Sequence, residues 1–120
     1  MRPRTILVIE DDASVRVLLA QILEDAGYQT YEAANGREGL EQFRAKPMDL
    51  VITDLEMPEM NGLEFVIECR KLDIGKYVPI IMVTTEGGMA KVEEALAQGA
   101  DRYIVKPFTG VDIENNMNMV

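Results

Sequence analysis

The chain has 120 residues, 48% of them hydrophobic, which suits one globular domain around a buried core rather than a disordered segment. Asp and Glu number 21 against 12 Lys and Arg, so the net charge is −9 and the surface as a whole repels nucleic acid and anionic membrane. The absence of histidine excludes imidazole metal sites, histidine general bases and a phosphohistidine-donor role, and the lone Cys69 excludes an internal disulfide. The start, with five or six strand-type residues running into acids, has the pattern of neither a signal peptide nor a membrane span, so a reducing cytoplasm is the expected setting, without membrane insertion.

In chain order, Thr5 to Glu10 is a near-continuous apolar run of strand length that stops at Asp11-Asp12. Val15, Leu18, Leu19, Ile22 and Leu23 then recur at helical spacing, and Gly27 suits a left-handed helix stop. Gln29 to Ala33 reads as a second strand. Asn35 with Glu38 reads as the cap of a helix that buries Leu40 and Phe43 and closes at Pro47. Leu50 to Asp54 is the third strand, followed by a Met57 to Gly62 loop with an Asn61-Gly62 turn, then a helix with Leu63, Val66 and Ile67 inward. Cys69 falls off that stripe and reads as a free thiol with no role. Asp73 to Tyr77 is expected to be loop, and Pro79 to Val83 a strand ending at Thr84. The next helix places Val92, Ala95 and Leu96 on one face and stops at Gly99. Tyr103 to Val105 forms a fifth strand, ending at Lys106-Pro107. Thr109 and Asp112 form a capping box for a last helix with Ile113, Met117 and Val120 on one face, short because its Asn-rich end is a weak helix former.

Five such strands alternating with five helices predict an α/β fold, a doubly wound sheet of parallel strands, and the flavodoxin-like order 2-1-3-4-5 is the one expected here. In such sheets the functional crevice lies beyond the carboxyl ends of the strands. The residues there are Asp11 and Asp12, Asp54, Thr84 and Lys106. Three converging carboxylates repel one another and require a counter-ion. With oxygen ligands only, Mg2+ is the expected metal, with Mn2+ as a substitute, and Mg2+ leaves one carboxylate for chemistry. Asp54 is the expected nucleophile toward phosphorus, with Lys106 neutralising phosphoryl oxygens. Asp11 and Asp12 suit the metal.

Glu10-Asp11-Asp12, Asp54-Leu55-Glu56-Met57-Pro58 running to Gly62, Val83-Thr84 and Tyr103 through Phe108 together resemble the receiver domain of two-component response regulators, most nearly the CheY-like single-domain regulators. The resemblance spans residues 5 to 112. It implies that Asp54 accepts a phosphoryl group from a phosphohistidine of a sensor kinase, and that Asp11, Asp12, Asp54 and the Glu56 backbone carbonyl bind Mg2+. It further implies that Thr84 and Lys106 contact the phosphoryl group, that Tyr103 swings inward as Thr84 moves, and that Lys106-Pro107 is cis. The output partner, such as a flagellar switch or another signalling protein, is expected on the last two helices and the fifth strand. A phosphatase is a further implied partner. The chain is then a switch with at most weak self-catalysis, either stand-alone or the receiver of a longer regulator.

Other readings stand beside these. Asp12 suits a helix N-cap as well as a metal, Thr84 an ordinary strand end, Lys106 a surface charge, and Tyr103 a half-buried strand aromatic. An aspartate-nucleophile phosphohydrolase and an interaction module that takes no phosphate are the rival functions. A dinucleotide enzyme is disfavoured, because no glycine-rich loop follows the first strand. Glu56, Thr85 and Glu86 flank the predicted phosphoryl position and are expected to tune it, Glu56 through the lifetime of the phosphoryl group. Gly87-Gly88 is expected to ease movement of its loop.

Overall fold

The computed structural model describes residues 4–85 and 89–118. Its elements are β1 (Thr5–Ile9), α1 (Ala13–Asp25), β2 (Gln29–Ala33), α2 (Gly36–Ala45), β3 (Leu50–Asp54), α3 (Gly62–Lys71), β4 (Ile80–Thr84), α4 (Met89–Gln98), β5 (Arg102–Val105) and α5 (Gly110–Met117). The strands form one parallel sheet, as the alternation of periods predicts, in the expected flavodoxin-like order 2-1-3-4-5. Asp73–Gly75, expected as loop, makes one 3-10 turn. The Ile113 and Met117 face of α5 is buried, whereas Val120 lies outside the described residues.

Both faces of the sheet are covered, which is why β1, β3 and β4 are buried along their whole length and carry polar residues only at their ends, Thr5, Thr53-Asp54 and Thr84, instead of alternating. Alternate side chains still go to different layers. Ile6, Val8, Leu50, Ile52, Ile81, Val83 and Ile104 pack with Leu19 and Leu23 of α1 and with Ile113 and Met117 of α5. Leu7, Ile9, Val51, Ile80 and Met82 pack with α2, α3 and α4. The register places Ile6 beside Leu50 and Val8 beside Ile52, so residues two further along, Glu10 and Asp54, emerge on the α1 and α5 side of the sheet.

Three predicted helix faces are corrected. In α1 the buried residues are Leu19, Ala20 and Leu23, while Leu18 is 53% exposed and Val15 only partly covered. The run from Val15 to Ala20 is apolar at all but one position, so periodicity there does not select a face. In α3 the inward residues are Phe65, Val66 and Cys69, with Leu63 and Ile67 at the margin; Cys69 is therefore a core residue, 0% exposed. In α4 Val92 and Ala95 are buried, but Leu96 is not.

The loop after β3 turns differently from the predicted Asn61-Gly62 turn. Its left-handed residue is Glu59 (φ 65°), whose carboxylate meets Arg37 at 3.2 Å. Asn61 instead caps α3 in a capping box with Glu64, and Gly62 is the first helical residue. Gly62 is required for closeness, not for its backbone angle: a Cβ there would overlap the Asp54 carbonyl oxygen and lie 2.9 Å from Met82 Sδ. The start of α3 thus rests directly on the strand end that carries Asp54. Gly62→Ala is expected to lower unfolding free energy by about 1–3 kcal/mol in urea titrations, because backbone rather than a flexible side-chain tip must yield.

Candidate functional site

Three side chains meet beyond the carboxyl edge of the sheet, and the two-residue alternation of their strands brings them there. Glu10 continues the Ile6, Val8 series, Asp54 continues Leu50, Ile52, and Lys106 follows Ile104. Lys106 Nζ donates to Glu10 Oε1 at 2.7 Å and lies 3.3 Å from Asp54 Oδ1. Glu10 is 2% exposed and Asp54 6%, so this one ammonium faces two buried carboxylates. Asp54 Oδ1 also accepts the Leu55 backbone N–H at 3.0 Å, and the Lys106 N–H donates to the Thr84 carbonyl at 2.7 Å. Arg16 of α1 donates to the Glu10 carbonyl at 2.9 Å and pairs with Glu32 at 3.3 Å, which fixes the backbone of the acidic loop.

Among the described residues, Glu10, Asp11 and Asp54 each offer a carboxylate oxygen within 4.8 Å of the others, a donor set of hard oxygens that fits Mg2+ or Mn2+. Glu10 enters the sequence pattern only as part of the Glu10-Asp11-Asp12 motif, with no role of its own; its signal is the strand alternation, which points it inward although it is charged. Asp12 stands differently. It is the N-cap of α1, with Oδ1 accepting from Ser14 N at 2.8 Å and Val15 N at 3.2 Å, so the capping reading of this residue describes its observed bonds.

Thr84 is buried, and its hydroxyl donates to the Thr85 carbonyl at 3.1 Å. Tyr103 is 40% exposed and lies outside both core clusters, and the Lys106-Pro107 peptide is cis. Glu56 is exposed and pairs with Lys91 at 2.8 Å, and Thr85 is exposed. Glu86, Gly87 and Gly88 lie outside the described residues.

Burial, then the hydrogen bond and negative charge of Glu10, push the Asp54 carboxyl up from 3.8 to about 7, against the opposing pull of Lys106. Lys106 loses some basicity to burial but is raised on balance by its bonds and charge interactions with Glu10 and Asp54. Between pH 3.8 and about 7 the folded protein retains an Asp54 proton that the unfolded chain releases, so folding stability falls as pH rises through that window. In divalent-free buffer, Asp54→Asn is therefore expected to be more stable than wild type above pH 7 by a few kcal/mol at most, with the gap closing toward pH 4. Chemical denaturation of both proteins across this range measures it.

The family model of the response regulator receiver domain matches residues 6–118. The chain is 41% identical to the chemotaxis protein CheY1 of Helicobacter pylori, covering 96% of this chain and 94% of that one. It is 37% identical to the chemotaxis protein CheY of Thermotoga maritima, covering 98% and 97%. Its fold superimposes on the chemotaxis protein CheY4 of Vibrio cholerae with a TM-score of 0.93, at 36% identity and 98% coverage of both chains. CheY-like receiver domains are signalling switches that take phosphate from histidine kinases and act on output partners. With the acids, the hydroxyl and the lysine gathered at the strand ends and these matches running almost end to end, the chain belongs to the response regulator receiver domain family, among its CheY-like members.

Proposed function

We propose that the chain is a phosphorylation-driven switch in which Asp54 accepts a phosphoryl group from the phosphohistidine of a sensor kinase. The observation that carries this reading is the buried Asp54 carboxylate 3.3 Å from the Lys106 ammonium. In the transfer, an Asp54 oxygen attacks phosphorus, the N–P bond to the donor histidine breaks, and the imidazole departs with the electron pair. Lys106 meets the charge on the phosphoryl oxygens, and Glu10 holds Lys106 in place. Asp11 and Asp54, with Asp12 and the Glu56 carbonyl, would hold Mg2+, which when bound would supply the remaining neutralisation of phosphoryl charge. Glu56 and Thr85, and Glu86 in the segment that follows, tune access to phosphorus.

The switch is carried by Thr84 and Tyr103. The Thr84 hydroxyl, bonded to the neighbouring carbonyl, turns to the phosphoryl group, and Tyr103 moves from its exposed position into the space released. The surface altered is that of α4, β5 and α5, where Leu96, Tyr103 and Val111 are exposed large hydrophobics. An output protein of the chemotaxis type, such as a flagellar switch, binds there, and a phosphatase resets the state. The setting is cytoplasmic; no described helix is long and apolar enough to cross a membrane.

Phosphotransfer from candidate kinases is the direct test. Wild type is expected to gain one alkali-labile phosphoryl group in intact-mass spectra, and Asp54→Asn none; a labelled Asp54→Asn sinks the reading. Thr84→Ala is expected to take the phosphoryl group yet lose roughly tenfold in the gain of output affinity, about 1.4 kcal/mol of coupling between the sites. Adding 10 mM Mg2+ should raise unfolding free energy by about 1.4 kcal/mol for a Kd of about 1 mM. That rise should be absent in Asp11→Asn.

A further inference from the structure

The geometry points to Lys91 as a positioning residue for phosphoryl transfer at Asp54, acting through Glu56. This rests on the phosphoacceptor reading of Asp54. Lys91 Nζ donates to Glu56 Oε1 at 2.8 Å, across 35 residues of sequence. The two ends of this bridge are placed with respect to the chemistry. Glu56 follows Leu55, whose N–H binds the Asp54 carboxylate, and Lys91 sits in the first turn of α4, the helix that comes after Thr84. The pair joins the loop leaving the nucleophile to the helix leaving the switch hydroxyl.

Helix stability does not account for a lysine there. The first turns of α2, α3 and α5 carry Glu38, Glu64 and Asp112, the sign that suits the positive end of a helix dipole, whereas those of α1 and α4 hold no acid and carry the cations Arg16 and Lys91, each turned to a carboxylate outside its own helix, Glu32 and Glu56. Lys91 gains nothing from the dipole at that position, and the carboxylate it meets is that of Glu56. Glu56, in turn, is a negative charge beside a site that already holds the Glu10, Asp11 and Asp54 carboxylates. Unpaired, it would repel an anionic donor approaching Asp54. Paired, its charge is offset and its side chain is held toward α4.

The consequence is a rate. With an acyl phosphate as donor, an Asp54 carboxylate oxygen bonds to phosphorus, the P–O bond to the acyl group breaks, and the carboxylate leaves with the electron pair; no proton is transferred. The donor is an anion, so its approach responds to the Glu56 charge. Both partners of the bridge are 57% exposed, so the effect is modest and is screened by salt.

The test is the rate of phosphorylation of the full chain by acetyl phosphate in excess Mg2+, followed by intact mass, for wild type, K91A, K91R, E56Q and K91A/E56Q at low and high ionic strength. K91A is expected to react about 3-fold more slowly than wild type at low salt, with the gap closing near 0.5 M salt, as screening of an exposed pair requires. K91R should restore the rate, and in the E56Q background loss of Lys91 should change it by less than about 1.3-fold. An equal loss in both backgrounds would mean that Lys91 serves α4 alone, and would overturn the proposal. So would a K91A rate equal to that of wild type. Wild type that gains no phosphoryl group at all would instead overturn the phosphoacceptor reading itself.

Discussion

The contact on which the site depends is the Lys106 ammonium, set between the carboxylates of Glu10 at 2.7 Å and Asp54 at 3.3 Å. Two acids this well buried repel each other and have lost most of their hydration, and a single cation does not fully offset both. The raised Asp54 pKa, about 7, is the residue of that imbalance. The fold therefore holds a site that is electrostatically unfinished, and a divalent cation of the kind its oxygen donors suit would complete it. A phosphoryl group attached to Asp54 would exchange one carboxylate charge for a larger, more diffuse one, and the same lysine is already within reach.

The sheet makes this economical. Parallel strands all finish at one edge, so residues far apart in sequence, Glu10, Asp54, Thr84 and Lys106, end side by side without any loop having to carry them. The edge is then braced from several directions. Arg16 grips the Glu10 carbonyl, the Lys106 N–H grips Thr84, and the first residue of α3 lies against the Asp54 carbonyl. These contacts are short and mostly to backbone, so the acids are held by rigid elements, while the Glu56 and Lys91 pair on the rim remains exposed and responsive to solvent.

Where the sequence reading went astray, local pattern was ambiguous. Val15 and Leu18 were expected inward because the apolar run of α1 offers more than one stripe; the choice fell to Leu19, Ala20 and Leu23 once the helix was laid on Ile6 and Val8. Cys69 was set apart from a stripe drawn through Leu63, Val66 and Ile67. Rotating α3 so that Phe65 meets Phe43 edge-on, ring centroids 6.5 Å apart, brings Cys69 into the core and leaves Leu63 and Ile67 at its border. Asn61-Gly62 looked like a turn signal, but a dipeptide that favours turns also serves as a cap followed by a residue without a side chain, and here closeness to the strand required the second use.

Strand and helix periods, the acids after the first and third strands, and the threonine and lysine at the ends of the last two were legible in the sequence, because each is a local consequence of burial or of where a strand stops. The alternation of elements made a parallel, doubly wound sheet legible, and 2-1-3-4-5 is one of the common orders of such a sheet. Which acids share the cation was not legible. Asp12 turns its carboxylate oxygen to the start of α1, while Glu10, the charged last residue of a largely apolar run, takes Lys106. That choice depends on the register of β1 against β3, 44 residues away, which aligns the Ile6, Val8 series with the Leu50, Ile52 series and so sets Glu10 opposite Asp54. The meeting of Glu56 with Lys91 is of the same kind. Sequence determined which chemical groups stand at the edge of the sheet; only the packing of distant strands and helices decided which of them touch, since pairing between remote segments is settled by the whole core and not by any stretch of chain.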